Sequence, residues 1–205
     1  NDIVGLTSGV VTATAVADTA AALNDVLNTS STDRITLTVL DDEIATSAID
    51  LNDLDGMTAI VVDAGDVTAV TGSAADIETA YQARGITGLG NESVTIESGD
   101  GFEGAVTVAD ANAVSVLTSG VVTASLTGTA ATLLGLTGTG NAYTLTVTDE
   151  VVSAADLLAL DLVTTVTVDA TDASEITGSA TDILAALNAA GIDTTANIDF
   201  TVDGP

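Results

Sequence analysis

A chain of 205 residues that is 46% hydrophobic holds enough apolar material for a core, which argues against disorder; at 2% aromatic, that core must be Val, Ile, Leu and Ala in narrow layers. Thirty acidic residues against two basic ones, Arg34 and Arg84, with no histidine, give a formal charge of −28, which excludes nucleic acid and anionic membrane surfaces by repulsion and makes cations the natural counter-species. Cysteine is absent, so disulfides and thiol chemistry are excluded, and no apolar run reaches the roughly 18 residues of a membrane span.

Along the chain, runs rich in Val, Ile and Thr alternate with Ala/Leu stretches of helical spacing. "RITLTV" (34–39) predicts a strand and "SAIDLNDL" (47–54) a helix, and "TAIVVDA" (58–64) with "SAADIETAYQA" (73–83) repeats the pair. The pair returns as "YTLTVT" (143–148) with "SAADLLAL" (153–160), and as "TTVTVDA" (164–170) with "SATDILAALNAAG" (179–191). In the last helix Ile183, Leu184, Leu187 and Ala190 predict a single apolar stripe. Ser47, Ser73, Ser153 and Ser179 each open a helix with an aspartate three residues on, at Asp50, Asp76, Asp156 and Asp182. That is the spacing of a capping box with a short acid, and a nucleophilic serine would need a base that a chain without His or Lys does not have.

Repeats decide the expected fold. "LTSGVVTA" at 6–13 is identical in all eight positions to 117–124, and "DAGDVTAVTGSAADI" at 63–77 matches "DATDASEITGSATDI" at 169–183 in nine of fifteen. Strand and short helix alternating without long helices or a glycine-rich phosphate turn predict an α/β fold. Its form is an elongated, leucine-rich-repeat-like parallel β/α solenoid, a single body over 1–205 made of two large tandem repeats at about 6–116 and 117–205. About seven coils at roughly 4.8 Å each would make a rod roughly 35 Å long. Uncapped ends would expose apolar surface and strand edges, so the expected partner is the chain itself, further coils or further copies. The first residue is not methionine and Pro205 falls in mid-pattern, as expected of a segment of a longer chain.

Acids follow the strands, and stacked coils would align them in rows. Asp42, Asp63, Asp66, Asp149, Asp169 and Asp172 are the candidate calcium ligands, since hard cations prefer carboxylate oxygens. Solvated turns use the same residues, and no EF-hand loop or glycine-rich nonapeptide repeat is present. A carbohydrate or surface ligand would have Tyr81, Phe102, Tyr143 and Phe200 for stacking. No nucleophile with its base and no phosphate loop occurs, which points away from an enzyme.

Strings such as "LTSGVVTASLTGTAATLLGLTGTGNAYTLTVTD", "VADTAAALNDVL" and "ITGLGNESVTI" resemble the degenerate repeats of very large cell-surface and secreted bacterial proteins, those of marine cyanobacteria especially. The resemblance covers almost the whole chain. It implies an extracellular or cell-surface, non-enzymatic array of the kind exported by type I secretion and folded in external calcium, although the glycine-rich calcium repeats that accompany that route are missing here. The expected function is a stiff acidic spacer or building block. The alternatives are a self-assembling filament or surface-layer subunit and a calcium-dependent adhesin.

Overall fold

The computed structural model describes residues 7–41, 45–98 and 104–203. It is α/β, with seven helices among the described residues and parallel strand pairing throughout them. Two compact units are present, Asn1–Glu103 with Val116–Gly120, and Gly104–Ser115 with Val121–Pro205.

The first unit runs β1 (Thr12–Thr14), α1 (Ala20–Val26), β2 (Arg34–Thr38), β3 (Thr46–Ser47), α2 (Ala48–Gly56), β4 (Val62–Asp63), β5 (Ala69–Gly72), α3 (Ala74–Gln82), β6 (Ile86–Thr87) and β7 (Ser93–Ile96). Its strands pair in the order β1-β2-β4-β6 and, separately, β3-β5-β7. The second unit holds α4 (Val108–Ser115), β8 (Val122–Gly128), α5 (Ala130–Leu133), β9 (Ala142–Val147), β10 (Val151–Ser153), α6 (Ala154–Asp161), β11 (Val168–Ala170), β12 (Glu175–Gly178), α7 (Ala180–Asn188), β13 (Ile192–Thr194) and β14 (Asp199–Val202). There β8, β9, β11 and β13 pair in that order, and β10 pairs with β12, which pairs with β14.

Register explains the core. Val62 lies opposite Ile86, Val70 opposite Val94, Val151 opposite Glu175 and Glu175 opposite Asp199, and the same step of 24 residues separates Asn52 from the Asp76 carbonyl that its amide meets. Because side chains alternate across a strand, the step stacks like on like. Leu37, Val62 and Ile86 form one inward row, and Val152 and Ile176 belong to another. Thr38, Asp63 and Thr87 form the matching outward row. The helices bury a narrow stripe three residues apart: Ala48, Leu51 and Leu54 in α2, Ala154, Leu157 and Leu160 in α6. Each wholly buried leucine contributes about 1.5–3 kcal/mol, so aliphatic layers suffice without aromatic bulk.

Two sequence expectations are corrected by this packing. In α7 the buried positions are Ile183 and Ala186, whereas Leu184 and Leu187 are exposed, so the stripe is the three-residue spacing seen in the other helices. The strands expected over 58–64 and 164–170 shrink to β4 and β11. In each, a threonine bends the preceding backbone: the Ile60 N–H donates to Thr58 Oγ1 at 3.2 Å and the Val166 N–H to Thr164 Oγ1 at 3.1 Å.

Candidate functional site

Three of the six candidate calcium ligands are engaged in turns or caps. Asp63 Oδ1 accepts from the Gly65 N–H at 3.1 Å, and Asp169 Oδ1 accepts from the Thr171 N–H at 3.0 Å and its hydroxyl at 2.7 Å. Those two bonds hold the Asp169 carboxyl below its ordinary range, the hydroxyl being the larger cause. Asp149 Oδ2 accepts from the Ala130 N–H at 2.6 Å, at the start of α5. Asp66 and Asp172 are exposed, and Asp42 lies outside the described residues. The rows that pass through Asp63 and Asp169 carry threonine as well as acid: Thr38 and Thr87 flank Asp63, while Thr146 and Asp193 flank Asp169. Among the described residues no group of three or more Asp, Glu, His or Cys is placed to hold a metal ion.

The polar groups that the fold brings together are buried and sit at the starts of strands. Asp33, Glu92 and Asn141 are all buried, each immediately ahead of a strand. Asp33 Oδ1 accepts from the Val11 N–H at 2.8 Å, and Asn141 Oδ1 accepts from the Val122 N–H at 3.0 Å, the same joint made in both units. The Val11 bond, with help from the Ser30 N–H and hydroxyl, holds the Asp33 carboxyl below the ordinary range although burial opposes this. Asp33 also lines a shallow hollow of about 420 Å³ with Thr7, Ser8, Thr29, Ser30 and Thr32.

Threonines complete the joints. Thr58 Oγ1 accepts from the Ile35 N–H at 3.0 Å and donates to the Ile35 carbonyl at 2.8 Å. Thr164 Oγ1 donates to the Tyr143 carbonyl at 2.6 Å, and Thr118 Oγ1 donates to the Glu92 carbonyl at 2.6 Å. The polar residue before a strand and the threonine before the next carry no catalytic or metal-binding signature.

Among the described residues Glu92 is the most enclosed acid, with 1% of its surface exposed. Its Oε2 accepts from the Tyr81 hydroxyl at 2.8 Å and from the Gly90 and Asn91 N–H groups at 2.7 and 3.1 Å, and its Oε1 has no hydrogen-bond partner among the described residues. Burial, reinforced by the bond to Glu92 and its charge, pushes the Tyr81 phenol well above its ordinary value. The strand registers make Leu187 and Ile198 the second-unit counterparts of Tyr81 and Glu92, so one unit has apolar residues at the positions where the other has a phenol and a carboxylate. Of the remaining aromatics, Tyr143 is fully buried with its phenol pushed up by burial, Phe200 is half exposed on β14, and Phe102 lies outside the described residues.

The predicted serine caps divide. Ser73 and Ser179 accept from the Asp76 and Asp182 N–H groups at 3.1 Å and donate to the same aspartates' carboxylates at 2.6 and 2.7 Å. Ser47 makes a longer bond of 3.4 Å to the Asp50 N–H, and Ser153 makes no side-chain cap bond. Thr107, unmarked in the sequence, forms the fullest box: it accepts from the Asp110 N–H at 3.2 Å, while Asp110 Oδ2 accepts from the Thr107 N–H at 2.9 Å.

Compared with known proteins, the chain matches no family model, no curated protein and no solved structure. No described helix is long and apolar enough to cross a membrane.

Proposed function

We propose that this chain is a non-catalytic structural segment of an extracellular or cell-surface protein, a parallel β/α solenoid that serves as a stiff acidic spacer or building block. The observation that carries the reading is the recurrence of parallel neighbours 19 to 25 residues apart in sequence, most often 24, in both units, with threonine, asparagine and acid side chains bonding one strand to the next. Side-chain hydrogen bonds between several successive coils resist sliding, and like-on-like rows make any slipped register bury threonine and expose valine. Stiffness follows from those two features. The charge of −28 keeps such segments apart laterally, and added salt shortens the range of that repulsion.

Cations, calcium among them, act on this reading as counter-ions gathered over acid-rich turns that include Asp63, Asp66, Asp149, Asp169 and Asp172. The extracellular placement is supported by the repeat resemblance. Small-angle X-ray scattering of the monomer in high and low salt tests the spacer: a rod-like profile of constant cross-section is expected in both. A profile of a compact sphere, or one that expands as salt is removed, would show that the chain is no spacer.

A further inference from the structure

We propose that the outward face of β8 and β9 binds ice, its hydroxyls standing in for water oxygens of the crystal. The register sets Ser125 beside Thr144 and Thr127 beside Thr146. Asn141 faces Thr164 and Thr146 faces Asp169 by the same shift, so Thr144, between them, faces Thr167 just ahead of β11. With Thr123, opposite Ala142, six hydroxyls thus stand in rows that run across neighbouring parallel strands. Five of these residues are exposed and Thr146 is half-buried.

The fold itself does not use these hydroxyls. Other threonines of the unit close caps and joints: Thr129 Oγ1 lies 2.9 Å from Thr132 Oγ1, Thr164 donates to the Tyr143 carbonyl at 2.6 Å, and Thr165 donates to the Asn141 carbonyl at 3.1 Å. Among the described residues none of the six has a hydrogen-bond partner for its side chain. Behind them Val122, Ala124, Leu126, Leu145 and Val147 are at most 3% exposed, and a β-branched threonine has few χ1 rotamers to choose from. The hydroxyls are therefore held in place before anything binds, which lowers the entropic cost of binding.

The chemistry of the face selects its occupant. Acids take outward strand positions elsewhere in the unit, where Glu175 faces Asp199 and Asp169 faces Asp193, but the outward positions of β8 and β9 carry none. A mineral surface is thereby disfavoured, since its hard cations seek carboxylates. A sugar polymer finds no aromatic ring to stack on, Tyr143 being buried on the opposite side of β9. What the face matches is a lattice of uncharged oxygens that both donate and accept, and ice is that lattice. Oxygens hydrogen-bonded at about 2.8 Å in a tetrahedral network place second neighbours about 4.6 Å apart, and equivalent hydroxyls on adjacent parallel strands stand about 4.8 Å apart.

Ice-affinity partition of the whole chain tests this: a crystal is grown slowly from the protein solution, and the protein taken into the ice is compared with that left in the liquid. Wild type is expected to enter the ice, and Thr144→Lys and Ser125→Lys to be left in the liquid. Thr201→Lys, which adds the same charge at an exposed position on β14, is expected to enter as wild type does. Circular dichroism checks that each variant folds, and either folded variant of the face suffices. Wild type left in the liquid, a folded Thr144→Lys or Ser125→Lys that enters the ice as wild type does, or a Thr201→Lys excluded with them would each overturn the proposal.

Discussion

Removing the Thr58 hydroxyl strands a buried N–H on Ile35 and an unpaired carbonyl on the same residue, since one oxygen serves both. Thr58→Val, which keeps the shape, is therefore expected to lower stability by about 1–3 kcal/mol in urea denaturation, the cost of buried groups left without partners. Asp33 offers a residue-scale test with pH. Its folded carboxyl is held below the ordinary value of 3.8 chiefly by the Val11 N–H, so its contribution is full above 3.8 and is lost as pH falls through the lower folded value. Asp33→Asn keeps an oxygen for Val11, as Asn141 does for Val122, but does not titrate. The stability gap between wild type and this variant is expected to close as pH is lowered below 3.8, and a gap independent of pH would show that the charge plays no part.

At the scale of the element, the caps separate sequence pattern from realised contact. Ser73→Ala and Ser179→Ala are each expected to cost about 1 kcal/mol in thermal or urea unfolding, whereas Ser153→Ala, which removes no cap bond, is expected to cost a few tenths. The four serines look alike in sequence because spacing records only that a bond can form; rotamer and the path of the incoming strand decide whether it does. Strand–helix alternation and parallel pairing were legible for the same reason in reverse, since β-branched alternation and the two tandem matches leave few other foldings. The outer face of α7 was not legible. Leu184 and Leu187 satisfy a helical stripe as well as Ile183 and Ala186 do, and only the neighbouring coil determines which pair is covered. The buried joints also escaped notice, because Thr58, Glu92 and Asn141 are polar residues that composition assigns to turns, and their burial depends on partners more than 18 residues away in sequence.

For the whole molecule, function on the proposed reading is geometry: within each unit, parallel strands in fixed register offer one another rows of aliphatic side chains and a few polar latches. On the proposed reading the carboxylates set the surroundings in which that geometry operates, through sensitivity to salt, and among the described residues no three of them gather to hold a metal ion. Since the chain has no cysteine of its own, register can be measured with engineered thiols free of background. Parallel neighbours lie about 4.8 Å apart, within the span that a disulfide bridges, while a shift of one residue turns the second side chain to the opposite face. Cysteines at the matched positions Asp63 with Thr87, and Glu175 with Asp199, are expected to form intramolecular disulfides readily on mild oxidation. Cysteines at Asp63 with Ile86, and Glu175 with Phe200, are expected to resist. Equal oxidation of matched and shifted pairs would contradict the account, because it would mean that the coils hold no fixed register.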